Sequence, residues 1–303
     1  MSLPPGSLVR SEAVASHVRS SRASHHRTAG RVNSIWELCN RALEIVGLRY
    51  HCYLTALILS GGGMFAAWQA GAWQELAKRM PKPDWVIGAS AGSLNAWAIA
   101  GGLPPEELVD RWQNLAAYNN LRWRFPAGPT SSILDPSHIW DDIDDIYSRC
   151  MPRTNIGVTL TRLPSLKVEM VINEKITPQV LRASCAVPGL FPPVKWNGHW
   201  YWDGGLMDGL PHSFGRKVGA TRLVCLNVWV GLPWWWTIKG NMLHRIRRWR
   251  EGVPADCADS VEWIYLAPPK MPGSFRDAAV WSRSNVERWI DEGREAARKI
   301  ELT

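Results

Sequence analysis

Ser90 stands at the centre of Gly88-Ala89-Ser90-Ala91-Gly92, a G-x-S-x-G whose small flanking residues allow a strained turn that lifts a serine hydroxyl above a sheet edge. A serine so placed is a candidate nucleophile. Upstream, Ser60-Gly61-Gly62-Gly63 offers backbone N–H groups free to converge on a negative charge. An oxyanion hole needs such donors, and so does a phosphate cradle. A P-loop would end in Gly-Lys-Ser/Thr, and a dinucleotide loop would need glycine where Ala66 stands, so nucleotide binding is disfavoured. Downstream, Asp203 precedes Gly204-Gly205. A carboxylate there either caps a loop or serves as a base.

The elements that must position these groups are legible around them. Leu54 to Leu59 and Asp84 to Ile87 are short apolar runs suited to buried strands. Each is followed by a helical pattern, Met64 to Arg79 with Phe65, Trp68, Ala72, Leu76 and Met80 on one face, and Ala91 to Ala100. Asn197-Gly198 is a hairpin-turn signal, which makes the aromatic run before Asp203 a strand. Ile156 to Leu163 and Lys167 to Ile172 read as a strand pair, and Thr177-Pro178 as the N-cap and first position of a helix. Arg222 to Val228 and Val261 to Leu266 complete the strands, and Ser282 to Ile300 is a closing helix. Ser34-x-x-Glu37 predicts a capping-box helix with Ile35, Leu38, Ala42 and Ile45 on its apolar face. Asn119 to His138, with Pro126, Gly128, Pro129 and Pro136, predicts a long loop. Asp141, Asp142, Asp144 and Asp145 lack the glycine and distal glutamate of a calcium loop and read as a solvated helix face.

In combination these blocks resemble the patatin-like phospholipase family from Tyr53 to about Asn227. The likeness is carried by Leu59 to Gly63 with Trp68-Gln69-Ala70-Gly71, by Gly88 to Gly92, by Ala183 to Pro193, and by Asp203-Gly204-Gly205 with Asp208 and Pro211. The resemblance implies a three-layer α/β/α fold with a mostly parallel sheet. It implies Ser90 as nucleophile and Asp203 as base in a dyad, with no metal or cofactor. Gly61, Gly62, Gly63 and Ala91 would form the oxyanion hole, and Gly88, Gly92, Gly204 and Gly205 would be motif glycines. The substrates implied are phospholipid, lysophospholipid or neutral acyl esters. The chain departs from the family at Phe65 and Ala66, where a basic residue and glycine are usual. Three other readings stay open: transacylation at the same dyad, a non-catalytic membrane-binding relative, and a Ser-Asp-His triad using His212 or His244.

Composition adds boundaries. Of 303 residues, 46% are hydrophobic and 20% charged, ordinary for a globular protein. Six cysteines without a C-x-x-C pair indicate neither a zinc site nor a disulfide framework, and so a reducing compartment, the cytoplasm. Residues 1–33 carry five arginines against Glu12, lack the apolar core of a secretory signal, and predict a disordered basic extension; their makeup also suits a transit peptide. The expected organisation is that extension, a helix at 34–52, a catalytic core at 53–228 and a C-terminal part at 229–303. Lys239 to Arg250 holds five cations and no acid, directly after Trp234-Trp235-Trp236. These two segments carry +4 and +5 against a net charge of +8, so the rest of the chain sums to −1 and the basicity is local. Tryptophan beside arginine predicts peripheral contact with anionic membrane. Nucleic-acid binding would leave the serine, glycine and aspartate blocks without a role. No apolar run reaches the length of a membrane span.

Overall fold

Strand β1 (Thr55–Leu59) is buried at every residue, the pattern of a strand covered on both faces. The structure, a computed structural model, describes residues 53–115, 134–230 and 261–301, all within one unit that begins at Tyr53. The predictions for 1–33, the 34–52 helix, Trp234 to Arg250 and His244 fall outside the described residues, as does 119–133 of the expected 119–138 loop, whose last two residues, Ser137 and His138, instead open a helix.

After β1 a 3-10 turn (Gly63–Phe65) leads into α1 (Ala66–Leu76), which is shorter than the helix expected from Met64 to Arg79. The positive φ of Gly63 (54°) breaks the helical path at its start. There follow β2 (Trp85–Ala89), α2 (Ala91–Gly101), α3 (Pro105–Gln113) and α4 (Ser137–Arg149). Next come β3 (Asn155–Leu163), β4 (Lys167–Ile172) and α5 (Pro178–Ser184). Thr177 stands at the N-cap of α5 in extended conformation, but its hydroxyl is buried without a partner. The chain continues through β5 (Val194–Trp196), β6 (His199–Asp203), α6 (His212–Lys217), β7 (Arg222–Leu226) and β8 (Glu262–Leu266), then α7 (Phe275–Ala279) and α8 (Arg283–Arg298). Asn197 (φ 45°) and Gly198 (φ 78°) both turn left-handed between β5 and β6, as the hairpin signal requires.

The strands form one sheet in the order β5-β6-β3-β2-β1-β7-β8, with β4 also paired to β3. β3, β2, β1, β7 and β8 run parallel, while β4, β5 and β6 pair antiparallel. Alternate residues of the parallel strands face two cores. Leu57, Leu59, Val86, Val158, Val224 and Leu226 pack under α1 to α5 and α8. Ala56, Ile58, Ile87, Leu223 and Cys225 pack on α6. The fold is a three-layer α/β/α arrangement with a mostly parallel sheet and one thick helical layer.

α1 and α8 approach to backbone contact. A Cβ on Gly71 would lie 2.0 Å from the Ile290 carbonyl, and one on Gly293 would lie 2.1 Å from the Trp68 carbonyl. α8 buries Val286, Trp289, Ile290, Gly293 and Ala297 along one stripe, and Trp68 and Trp289 are the largest fully buried side chains. The acids of α4 are spent largely on ion pairs: Asp145 with Arg111 and Arg149, Asp144 with Arg182. Among the described residues no helix is long and apolar enough to cross a membrane.

Candidate active site

β2 stops at Ala89, and the next residue, Ser90, has φ 53° and ψ −135°, a conformation that costs a non-glycine residue free energy. The flanking glycines are required by contact. A Cβ on Gly88 would lie 2.3 Å from the Gly92 carbonyl, and one on Gly92 would lie 2.3 Å from the Ser60 carbonyl. Two serine hydroxyls hold the strained residue at both its peptide groups. The Ser90 N–H donates to Ser184 Oγ at 3.0 Å, and Ser93 Oγ donates to the Ser90 carbonyl at 2.6 Å.

Asp203 reaches Ser90 because β3 acts as a ruler. β4 pairs with Gly157 to Arg162 along one edge of β3, so β2 and β6 must share the other edge. β2 runs parallel along it and ends with Ala89 opposite Thr159; β6 runs antiparallel and ends with Asp203 opposite Leu160. The two strands therefore meet end to end. Residues 113 apart in sequence come together, with Ser90 Oγ donating to Asp203 Oδ2 at 2.5 Å. The other carboxylate oxygen accepts from the Gly205 N–H at 2.6 Å. The Asp203 backbone is fixed by its N–H to the Ala186 carbonyl (3.0 Å) and by Thr161 Oγ1 on its carbonyl (2.8 Å).

Both side chains are buried, Ser90 at 7% and Asp203 at 4% exposure. Burial pushes the Asp203 carboxyl up to about 7, against the downward pull of the hydrogen bonds from Ser90 and Gly205. Burial, aided by the Asp203 charge, also raises the neighbouring Cys185 thiol far above its usual range.

The glycine loop lies against the serine. A Cβ on Gly61 would stand 3.2 Å from Ser90 Cβ, and one on Gly205 would stand 3.7 Å from it. Gly204 packs on the Thr159 carbonyl. The Gly61 N–H is committed to the Gly209 carbonyl at 2.9 Å, which removes it from the expected oxyanion donors. The N–H groups of Gly62 and Gly63 and of Ala91, the first residue of α2, have no partner among the described residues.

Asn95 and Trp112 escaped the sequence reading, and the role of Gln69, named only within a resemblance block, did too. Behind the loop, Gln69 Nε2 donates to the Ser60 carbonyl (2.8 Å), and Asn95 Nδ2 donates to the Ala66 carbonyl (3.0 Å) and to Gln69 Oε1 (3.1 Å). Trp112 Nε1 donates to Asn95 Oδ1 at 2.9 Å. These buried amides pin the loop at both ends. Their signal was a polar side chain on an otherwise apolar helix face. Phe65 is fully buried and meets Trp289 and Trp229 edge-on, at 5.0 and 5.9 Å between centroids. His212 bonds the Leu210 carbonyl and meets Trp263 edge-on, and neither contact involves Ser90 or Asp203. Two clefts of about 500 and 490 Å³, one between β8 and α8 and one beside Trp97 and Tyr147, are lined by neither Ser90 nor Asp203.

A family model for patatin-like phospholipase matches residues 57–214. Curated relatives agree. Lysophospholipase NTE1 of Meyerozyma guilliermondii is 28% identical over 57% of this chain and 12% of its own length. Probable lipid hydrolase 463L of Invertebrate iridescent virus 6 is 24% identical over 54% of this chain and 64% of its own. The human 1-acylglycerol-3-phosphate O-acyltransferase PNPLA3 is 26% identical over 52% of this chain and 34% of its own. The matched region spans less than two thirds of each relative. The family model covers more than half of the chain and includes the strained serine and the aspartate, and the chain belongs to the patatin-like phospholipase family.

Proposed function

We propose that the protein is a lipid acyl hydrolase of the phospholipase A or lysophospholipase kind, working through a Ser90–Asp203 dyad and an acyl-enzyme. The observation that carries this reading is the 2.5 Å hydrogen bond from a strained, buried serine to a buried carboxylate, beside three backbone N–H groups that have no partner among the described residues. As Ser90 Oγ attacks the ester carbonyl, its proton passes to Asp203 Oδ2. The tetrahedral oxyanion is held by Gly62, Gly63 and Ala91 N–H. The proton then goes to the departing alcohol, and water, deprotonated by the same carboxylate, releases the fatty acid. A base titrating at about 7 is matched to this task at neutral pH.

A fluorophosphonate probe tests the reading directly. It is expected to label the parent at Ser90 and to leave Ser90→Ala unlabelled. No labelling of the parent would instead favour a non-catalytic relative. The acyltransferase name of the human relative supports a second reading, in which an alcohol intercepts the acyl-enzyme. Adding a lysophospholipid acceptor to the assay separates the two, since a transacylase would divert acyl groups from free acid to the acceptor.

Peripheral docking on anionic membrane belongs to the same proposal and rests on Trp234 to Trp236 and the five cations of Lys239 to Arg250. Replacing Arg245, Arg247, Arg248 and Arg250 by Ser is expected to weaken co-sedimentation with anionic vesicles while leaving hydrolysis of a soluble ester unchanged. Undiminished vesicle binding would remove this segment from the docking surface.

A further inference from the structure

A parallel ladder with Ala89 opposite Thr159, continued by one residue, would join the Ser90 N–H directly to the Thr159 carbonyl. A side chain stands between them instead. Ser184 Oγ accepts from the Ser90 N–H and donates to the Thr159 carbonyl, both at 3.0 Å. This one hydroxyl, fully buried at the end of α5, lets the chain leave the sheet at Ser90 without abandoning either backbone group. Two residues further on, the Ala186 carbonyl accepts the Asp203 N–H. The three-residue stretch from Ser184 to Ala186 thus grips the backbone of both dyad members.

We propose that Ser184 is a positioning residue for the acyl-transfer step, holding the Ser90 peptide in the conformation that aims Oγ between Asp203 and the oxyanion donors. Without the hydroxyl, the Ser90 N–H becomes a buried, unsatisfied donor. The strained φ of 53° then loses its restraint on the N-terminal side, and rotation toward the ordinary negative-φ region swings Oγ off the Asp203 carboxylate. Ser184 is fully buried and presents no surface to a substrate. The loss therefore falls on the chemical step and not on ground-state binding.

This inference rests on the Ser90–Asp203 reading, and the two fail separately: an active Ser90→Ala removes that reading, whereas Ser184 variants are judged against a parent whose activity Ser90→Ala abolishes. The experiment compares the parent, Ser184→Ala and Ser184→Cys on a soluble p-nitrophenyl ester, with active sites counted by fluorophosphonate titration. Ser184→Ala is expected to lower kcat about 10- to 100-fold, the scale of one unsatisfied buried donor. KM should stay within about two-fold and phosphonylation of Ser90 should slow in step with kcat. Ser184→Cys, which keeps a weak acceptor and donor, should recover part of the loss. Parent-like kcat per active site in Ser184→Ala, or a loss expressed mainly in KM, would overturn the proposal. If the alanine variant does not fold, the cysteine variant decides on the same two criteria. Failure of both to fold would also overturn it, by assigning the hydroxyl to the fold and not to the reaction.

Discussion

The parallel half of the sheet and the antiparallel wing each supply one member of the proposed dyad, by different physical means. β2 ends in glycine-flanked space so tight that only Ser90, in a left-handed conformation, completes the turn. β6 belongs to a hairpin whose far end, at His199 and Trp200, is exposed, and Asp203 leaves it with ordinary geometry and ordinary hydrogen bonds. What is unusual about Asp203 is its surroundings, which deny a carboxylate the water it would have outside. The proposed nucleophile is thus held under conformational tension and the proposed base under electrostatic tension. β3 joins the two because it accepts a parallel and an antiparallel partner on one edge.

Removing either partner is the severest break. Ser90→Ala and Asp203→Asn should each lower kcat/KM for a soluble ester by about 10⁴-fold or more, and the double variant should be little worse than either single one, because residues acting as a unit are strongly non-additive. Losses that multiplied would mean the two ends of the sheet work independently. The electrostatic side is sharpened by pH. Only the ionised carboxylate accepts the serine proton, so kcat/KM should fall about tenfold per pH unit below a midpoint near 7. A midpoint near that of an exposed aspartate would show that the wing does not desolvate its base.

A smaller effect distinguishes the two tensions in stability. Folding raises the Asp203 carboxyl above its value in the unfolded chain, so the native fold is unpenalised at pH values below the unfolded titration and loses stability as pH rises through about 7. Asp203→Asn should therefore melt a few degrees above the parent at pH 8, at about 2–4 °C for each kcal/mol, with the gain shrinking toward pH 4. Calorimetry at the two pH values checks this. The smallest effect should come from His212→Ala, which removes a ring bonded to the Leu210 carbonyl and not to the dyad; kcat should stay within about three-fold. A collapse of activity there would reinstate a triad.

Local signals made the catalytic blocks legible. Strand, glycine turn and helix follow one another within 15 residues at Ser60 and again at Ser90, and Asn197-Gly198 announces the hairpin that carries Asp203. The contacts of the supports were illegible because their partners are remote, even where the residue itself, as with Ser184, stood in a named block. Ser184 meets Ser90 across 94 positions and Asn95 meets the Ala66 carbonyl across 29, and nothing in an isolated serine or asparagine marks such a contact. α3, α6 and α7 were missed for another reason. They are nine residues or fewer, too short for an apolar period to declare itself. The commitment of the Gly61 N–H was likewise invisible, since the Gly209 carbonyl arrives from a different turn.

Phe65 is enclosed by aromatic rings and has no exposed surface. In the patatin-like pattern a basic residue usually precedes glycine here, which invites reading Phe65 as a defect to be reversed. In this chain the ring is the meeting point of Trp289 from α8 and Trp229 from beyond β7, and Trp229 in turn meets Phe275 of α7. Three segments now depend on an apolar side chain at position 65. Reverting it to arginine would strand a charge among indole rings, and a melting temperature lower by 10 °C or more is the order expected for an unpaired buried cation in a unit of this size. Position 65 ties the glycine-rich loop to the C-terminal helices, so the side chain tolerated there is set by their packing.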